Sequence, residues 1–281
     1  MRIVRFGEPG RERPGVLNSE GRLLDATPLV ADWTAEHLDP SSLASVAESL
    51  DKLPQVDAEA VRLGPPIARP GKIVCIGLNY ADHAAESGAT IPDEPVVFMK
   101  DPSTVVGPHD SVLVPRGSQK TDFEVELAVI VGRQIRYAAS ADEALACVAG
   151  YATSNDLSER EFQLERGGQW DKGKSCETFN PLGPWMVTAD EVPDPQALAL
   201  ELWVNGRAMQ SSTTAEMVFG VGEILRYLSQ FMVLRPGDLV NTGTPAGVAL
   251  GQPDLPYLRE GDVVECSISG LGTQRVTVGQ A

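Results

Sequence analysis

The chain has 281 residues, 42% hydrophobic and 22% charged, an ordinary globular composition with enough length to bury a sizeable core. Lys and Arg number 23 against 39 Asp and Glu, a formal charge of -16. Such an acidic chain is not expected to take nucleic acid or an anionic membrane as its main partner, whereas an anionic small molecule is still admissible, because a metal and a few cations can reverse the local potential.

In chain order, residues 1–65 read as a small accessory α/β domain. A strand at 2–6 is followed by a hairpin of 15–17 and 22–24 around a turn at 18–21, then by helical stretches at 43–50 and 57–63. The opening residues lack the apolar core and small-residue cleavage site of a signal peptide. Residues 64–71 are mostly Gly and Pro and read as a linker. From residue 70 to 281 short apolar or alternating runs predict strands at 72–76, 96–99, 112–114, 123–131, 148–153, 200–204, 238–241 and 263–268. Asn205-Gly206 is a strong hairpin signal, and Arg235-Pro-Gly-Asp238 and Arg259-Glu-Gly-Asp262 read as strand-to-strand turns. Helices are expected at 81–87, 141–146, 157–166 and 219–230. Without regular βαβ alternation, the expected class is β-rich α+β, mixed and largely antiparallel, with peripheral helices. No apolar run approaches the roughly 20 residues that span a bilayer. Cys75, Cys147, Cys176 and Cys266 are scattered without a Cys-x-x-Cys pair, so a reduced cytoplasmic enzyme is the simplest compartment reading.

Several segments carry chemistry. In Thr121-Asp-Phe-Glu-Val-Glu-Leu127 strand alternation places Glu124 and Glu126 on one face and Phe123, Val125 and Leu127 on the other. Two neighbouring carboxylates entering an apolar run call for a positive partner, although an acidic face turned to water explains the same pattern. Asp156 with Glu159 has the form of a capping box opening a helix, yet a carboxylate at a strand end also reaches the face of Glu124 and Glu126. Three carboxylates without Cys or His favour a hard ion, Mg2+ or Mn2+, over zinc. His83 and Glu86 lie three apart on one helix face, either as an exposed pair or as an imidazole oriented for general-base work. Gln169-Trp-Asp-Lys-Gly-Lys174 is either a solvated loop or an ammonium over an anion. Asn241-Thr-Gly-Thr-Pro-Ala-Gly247 offers backbone N–H groups and hydroxyls to an anion but lacks a P-loop Gly-Lys-Ser/Thr.

Taken in order, Gly77-x-Asn-Tyr80-x-x-His83-x-x-Glu86, Pro95-x-x-Phe-x-Lys100, Asp122-x-Glu124-x-Glu126, Asn155-Asp156-x-x-x-Arg160-x-x-Gln163, Gly173-Lys174-Ser175 and Thr242-Gly-Thr244-Pro-x-Gly247 resemble the fumarylacetoacetate hydrolase family over about residues 70–272. Residues 163–174 look like its bacterial 2,4-diketo-3-deoxy-L-fuconate and L-rhamnonate hydrolases. The resemblance implies a mixed β-sandwich roll assembled as a homodimer. It implies Glu124, Glu126 and Asp156 as ligands of Mg2+, with Mn2+ as a substitute. His83 and Glu86 would activate water in a segment that closes as a lid, and Lys174 would lie beside the bound keto acid. Arg160, Gln163, Thr244, Lys100 and Tyr80 would contact the substrate. The implied reaction is cleavage of the C3–C4 bond of a 2,4-diketo acid to pyruvate and a carboxylic acid such as lactate. Oxaloacetate decarboxylation and isomerisation of hydroxymuconate-type diacids are the alternatives on the same site.

Overall fold

Strand alternation organises the molecule around one run, Val125–Val131, in which every residue is buried. Val125, Leu127, Val129 and Val131 join one apolar core, while Ala128 and Ile130 join another on the opposite face. The computed structural model describes residues 1–281 apart from 87–89, 251 and 253–256. Its principal strands are β1 (Arg2–Phe6), β2 (Arg13–Leu17), β3 (Leu23–Asp25), β4 (Ile73–Gly77), β5 (Val96–Lys100), β6 (Val112–Val114) and β7 (Val125–Val131). They continue with β8 (Val148–Asn155), β9 (Met186–Thr188), β10 (Ala199–Val204), β11 (Arg207–Thr213), β12 (Leu239–Asn241), β13 (Val263–Ile268) and β14 (Gly272–Gln280). The helices are α1 (Pro40–Ala47), α2 (Ala81–Glu86), α3 (Ala141–Leu145), α4 (Asp171–Lys174) and α5 (Val221–Leu228).

The large sheet runs from residues 55–56 through β3-β2-β1-β9-β8-β7-β12-β4-β5, with residues 63–64 pairing β1. The smaller sheet is ordered β11-β10-β13-β14-β6. Pairing is antiparallel except at β12–β4 and β14–β6, so the mixed, largely antiparallel β-rich α+β class holds. One face of β7 and β8 packs on the smaller sheet and on α5 through Val129, Tyr151, Leu202, Cys266 and Ile224. The opposite face receives Trp33, Leu38, Leu43 and Ile67 from the N-terminal segment. That segment, expected as an accessory domain, is continuous with the large sheet through Arg2↔Val187 and Ile3↔Met186.

Local chemistry explains where elements start and stop. Asn205 (φ 52°) and Gly206 (φ 76°) form the hairpin turn between β10 and β11, as the Asn-Gly pair predicts. The helix expected at 43–50 begins earlier, at Pro40, because Asp39 accepts the Ser41 N–H and Pro40 is pre-set for a first turn. The helix expected at 57–63 is only a 3-10 turn at Ala58–Ala60. The helix expected at 81–87 is seen over Ala81–Glu86, with Ser87 outside the described residues. The helix expected at 157–166 is absent. Ser158 and Glu159 instead extend a ladder opposite Asp122 and Thr121, and only a π-helical turn, Glu161–Glu165, follows. Polar residues dominate β11 and β14, so their apolar pattern is weak; inward-facing Gln210 is satisfied at both ends by tertiary partners, and the Gln274 amide N–H2 donates to the Thr153 and Pro181 carbonyls.

Trp33 ties the N-terminal strands together. Its fully buried indole N–H donates to the Val4 and Gly15 carbonyls at 3.0 and 3.2 Å. Trp33→Ala is expected to destabilise the protein by about 3–5 kcal/mol, read as a lowered midpoint in urea denaturation; an unchanged midpoint would show that the N-terminal segment contributes nothing to the fold.

Candidate metal centre

The register of β7 against β8 builds the centre. Val125 lies opposite Asn155 and Glu126 opposite Ser154, so the start of one strand meets the end of the other. Glu124 precedes β7, Asp156 follows β8, and the Asp156 N–H donates to the Glu124 carbonyl at 2.9 Å. Glu124, Glu126 and Asp156 are all buried, and one carboxylate oxygen from each lies within 4.8 Å of the others. Phe123, Val125 and Leu127 enter the core on the other side, so the wet-face reading of Glu124 and Glu126 fails. The capping-box reading of Asp156 fails as well, since no helix starts there and its side chain faces two lysines.

The surrounding charges nearly balance. Lys100 Nζ meets Asp156 Oδ1 at 2.5 Å and donates to the Leu157 carbonyl at 3.1 Å. Lys174 Nζ bridges Glu124 Oε2 at 2.7 Å and Asp156 Oδ2 at 2.9 Å. Arg160 spans Asp122 Oδ2 at 2.8 Å and Glu124 Oε1 at 2.7 Å. Burial raises the Glu124 carboxyl, but Lys174 and Arg160 outweigh it and hold the group well below the usual carboxylate range. Burial likewise lowers Lys174, and Asp156 and Glu124 more than reverse the effect, so its ammonium is retained.

Glu126 is the exception. It accepts the Gly243 N–H at 2.7 Å but makes no ion pair among the described residues. Burial, with the charges of Asp156 and Glu124 beside it, pushes its carboxyl well above the usual range. Were Asp122, Glu124, Glu126 and Asp156 all ionised, Lys100, Arg160 and Lys174 would leave one negative charge without a partner among the described residues, which is why Glu126 favours its neutral form when no cation is bound. A dication fits this donor set: three converging carboxylates, all oxygen, as a hard ion requires.

The glycine-rich loop after β12 serves two carboxylates of the chain itself. Gly243 reaches Glu126, and the Gly247 N–H reaches Glu86 at 3.0 and 3.2 Å. Gly247 has φ 110°, and a Cβ there would lie 2.0 Å from the Met209 carbonyl oxygen, so the loop passes only as glycine. His83 Nδ1 lies 3.7 Å from Glu86 Oε2, and Gln252 also donates to Glu86. Burial raises Glu86, yet His83, Gly247 and Gln252 together hold it below its ordinary value. The carboxylate therefore stays ionised beside the imidazole.

A cleft of about 200 Å3 joins these groups, with His83, Glu124, Glu126, Arg160, Gln163 and Lys174 on its lining. Thr244 also lines it, but its hydroxyl donates to the Val125 carbonyl and accepts from Gln210. Lys100 and Tyr80 do not line it. Lys100 is buried behind Asp156, and the Tyr80 hydroxyl is buried with no hydrogen-bond partner among the described residues. Two supporting residues carried no sequence-based role. Asp122 holds Arg160 and accepts the Ala249 and Leu250 N–H groups; its place two before Glu124 on the same strand face was the available signal. Gln210 ties Val125 to Thr244, and nothing in its local sequence marks it.

Known proteins share this architecture. A model of the fumarylacetoacetate (FAA) hydrolase C-terminal family matches residues 72–279. A relative from Burkholderia multivorans, with no name more specific than hydrolase, is 50% identical over 279 residues, covering 98% of this chain and 97% of its own. The solved fumarylacetoacetate hydrolase of Exiguobacterium antarcticum is 36% identical with a TM-score of 0.85, each chain covered at 100%. Maleylpyruvate hydrolase from Sphingobium sp. SYK-6, in complex with manganese(II) and pyruvate, is 30% identical with a TM-score of 0.82, again with full coverage of both chains. The chain belongs to the fumarylacetoacetate hydrolase family.

Proposed function

We propose that the protein is a divalent-metal-dependent hydrolase that cleaves the C3–C4 bond of a 2,4-diketo acid, releasing pyruvate and a carboxylic acid. The observation that carries this reading is the set of buried carboxylates, Glu124, Glu126 and Asp156, sharing one cleft with the His83–Glu86 pair. Held by those three residues, a Mg2+ or Mn2+ ion would supply Lewis acidity toward the keto-acid oxygens. The manganese and pyruvate held by the Sphingobium relative support both the metal and the product.

The chain's own residues divide the remaining work. His83, oriented by ionised Glu86, takes a proton from water, whose oxygen adds to C4. The C3–C4 bond then breaks, and C3 receives a proton. Lys174 keeps its ammonium on the cleft lining, where negative charge develops on the departing pyruvate half. Arg160, fixed by Asp122 and Glu124, and neighbouring Gln163 hold the substrate from the same side. Lys100 acts on Asp156 rather than on substrate, since it is sealed behind that carboxylate. A tail like that of 2,4-diketo-3-deoxy-L-fuconate or L-rhamnonate would make lactate the second product.

Two experiments test this. In Glu126→Gln, a neutral amide of the same shape replaces a carboxyl that burial, Asp156 and Glu124 already drive toward its neutral form, so the metal-free variant should melt no lower than the wild type. It should also lose the rise in melting temperature that Mn2+ gives the wild type, a stabilisation of about 2.7 kcal/mol at 100 times Kd. Equal Mn2+-induced shifts in both proteins would exclude Glu126 as a ligand. In the second experiment, pyruvate release is followed on 2,4-diketo acids, oxaloacetate and hydroxymuconates with added Mg2+. His83→Ala is expected to slow release from diketo acids about 100- to 10,000-fold while keeping the Mn2+ shift. Turnover of oxaloacetate alone, or undiminished rates in His83→Ala, would overturn the hydrolytic reading and leave the metal site standing.

A further inference from the structure

The lining of the cleft divides by chemistry. It holds ionisable His83, Glu124, Glu126, Arg160 and Lys174, and an apolar wall in which Phe98 meets Trp170 and Trp170 sits against Gly77, next to Leu78, with Leu164 and Leu250 also on the lining. We infer that this wall is the subsite for the substrate tail and that it selects an uncharged, apolar-ended tail over one ending in a second carboxylate. The inference rests on the keto-acid reading above and assigns the part of the substrate beyond C4.

The wall begins beside Lys174. Lys174 Nζ lies 4.9 Å from the centroid of the Phe98 ring, and Trp170 meets Phe98 edge-on at 5.4 Å. A keto acid whose charged end lies beside Lys174 therefore directs its tail along these rings. The wall is also rigid. A Cβ on Gly77 would lie 2.6 Å from Trp170 Cζ3, so the indole is seated directly against the β4 backbone. Leu78, the next residue, holds φ 54°, a left-handed conformation that is costly for a branched side chain and keeps that side chain on the cleft lining. Leu164 is 43% exposed, an apolar surface that a bound tail would cover.

No cation remains for a second carboxylate. Arg160, paired with Asp122 and Glu124, and Lys174, paired with Glu124 and Asp156, are committed on the reading above to the keto-acid end, and His83 is next to Glu86. No other Lys, Arg or His is on the lining among the described residues, and residues 87–89, 251 and 253–256 contain none in the sequence. A carboxylate laid on this wall would lose its hydration without a partner, whereas each buried methylene gains about four-fold in affinity. With the Thr244 hydroxyl given to the Val125 carbonyl and Gln210, Gln163 is the neutral hydrogen-bonding side chain on the lining for a single tail oxygen. Maleylpyruvate, by contrast, ends in a second carboxylate, so this chain and its Sphingobium relative are expected to differ in tail preference.

The test separates tail from reaction. With Mn2+ present, 2-oxohexanoate and 2-oxohexanedioate are titrated calorimetrically into wild type, Trp170→Ala and Leu78→Gly. The last variant removes the side chain and the backbone strain together, so it guards against a folding defect. The wild type is expected to bind 2-oxohexanoate at least about ten-fold more tightly, and both variants should shrink that ratio. Equal affinities, a preference for the dioate, or a ratio unchanged in both variants overturns the inference. Pyruvate release is then compared for 2,4-dioxooctanoate and 2,4-dioxoheptanedioate. Faster turnover of the dioate sinks the apolar-tail inference and keeps the hydrolase; release from neither, with the binding ratio intact, sinks the hydrolase and keeps the tail subsite.

Discussion

Everything at the centre depends on one constraint: four carboxylates are buried together with only three cations to offset them. Buried charge without a partner is among the most costly features a protein can carry. The fold answers it locally, with Lys100 and Lys174 on Asp156, Lys174 and Arg160 on Glu124, and Arg160 on Asp122. Glu126 is left with a backbone N–H from Gly243, which eases the charge without cancelling it. A dication beside the three carboxylates would more than offset that charge and favour ionised Glu126.

The sheet exists to hold this cluster out of water. β7 is buried on both faces, with Val125, Leu127 and Val129 toward the smaller sheet and Ala128 and Ile130 toward the N-terminal segment. Residues 1–64 therefore support the centre from further along, because their side chains pack on the face of β7 that carries Glu126, at Ala128 and Ile130. The loop after β12 completes the enclosure. Its two glycine N–H groups reach carboxylates of different elements, Glu126 on β7 and Glu86 on α2, and so tie the would-be ligand to the would-be base assembly. An anion-binding loop was legible in Thr242-Gly-Thr-Pro-Ala-Gly247; that its anions include side chains of the same chain was not.

The cleft's two halves carry separate tasks. On the proposed reading, the charged residues would hold what all keto acids share, and the Phe98–Trp170 wall would face what distinguishes one from another. Rigid aromatic surfaces discriminate through desolvation, which is strong against a charge and permissive toward a change of length.

Short-range chemistry is where the sequence alone was decisive. Asn205-Gly206 dictated its hairpin, Asp39 with Pro40 set a helix start, and alternation put Glu124 and Glu126 on one face. The ordered motifs named the family. Tertiary structure decided whatever depended on distant partners. Asp156 looked like a helix cap because Asp-x-x-Glu is a local pattern, but pairing of residues 158–159 with 121–122 kept the chain extended and turned the carboxylate toward Lys100 and Lys174. Lys100 and Tyr80 lie within recognisable motifs, yet packing buried both and kept them off the cleft lining. The role of Gln210 was invisible locally, since the Val125 and Thr244 it holds lie elsewhere in the chain. Local rules act over a few residues, whereas a buried charge is balanced by whichever groups the fold brings within a few ångströms of it.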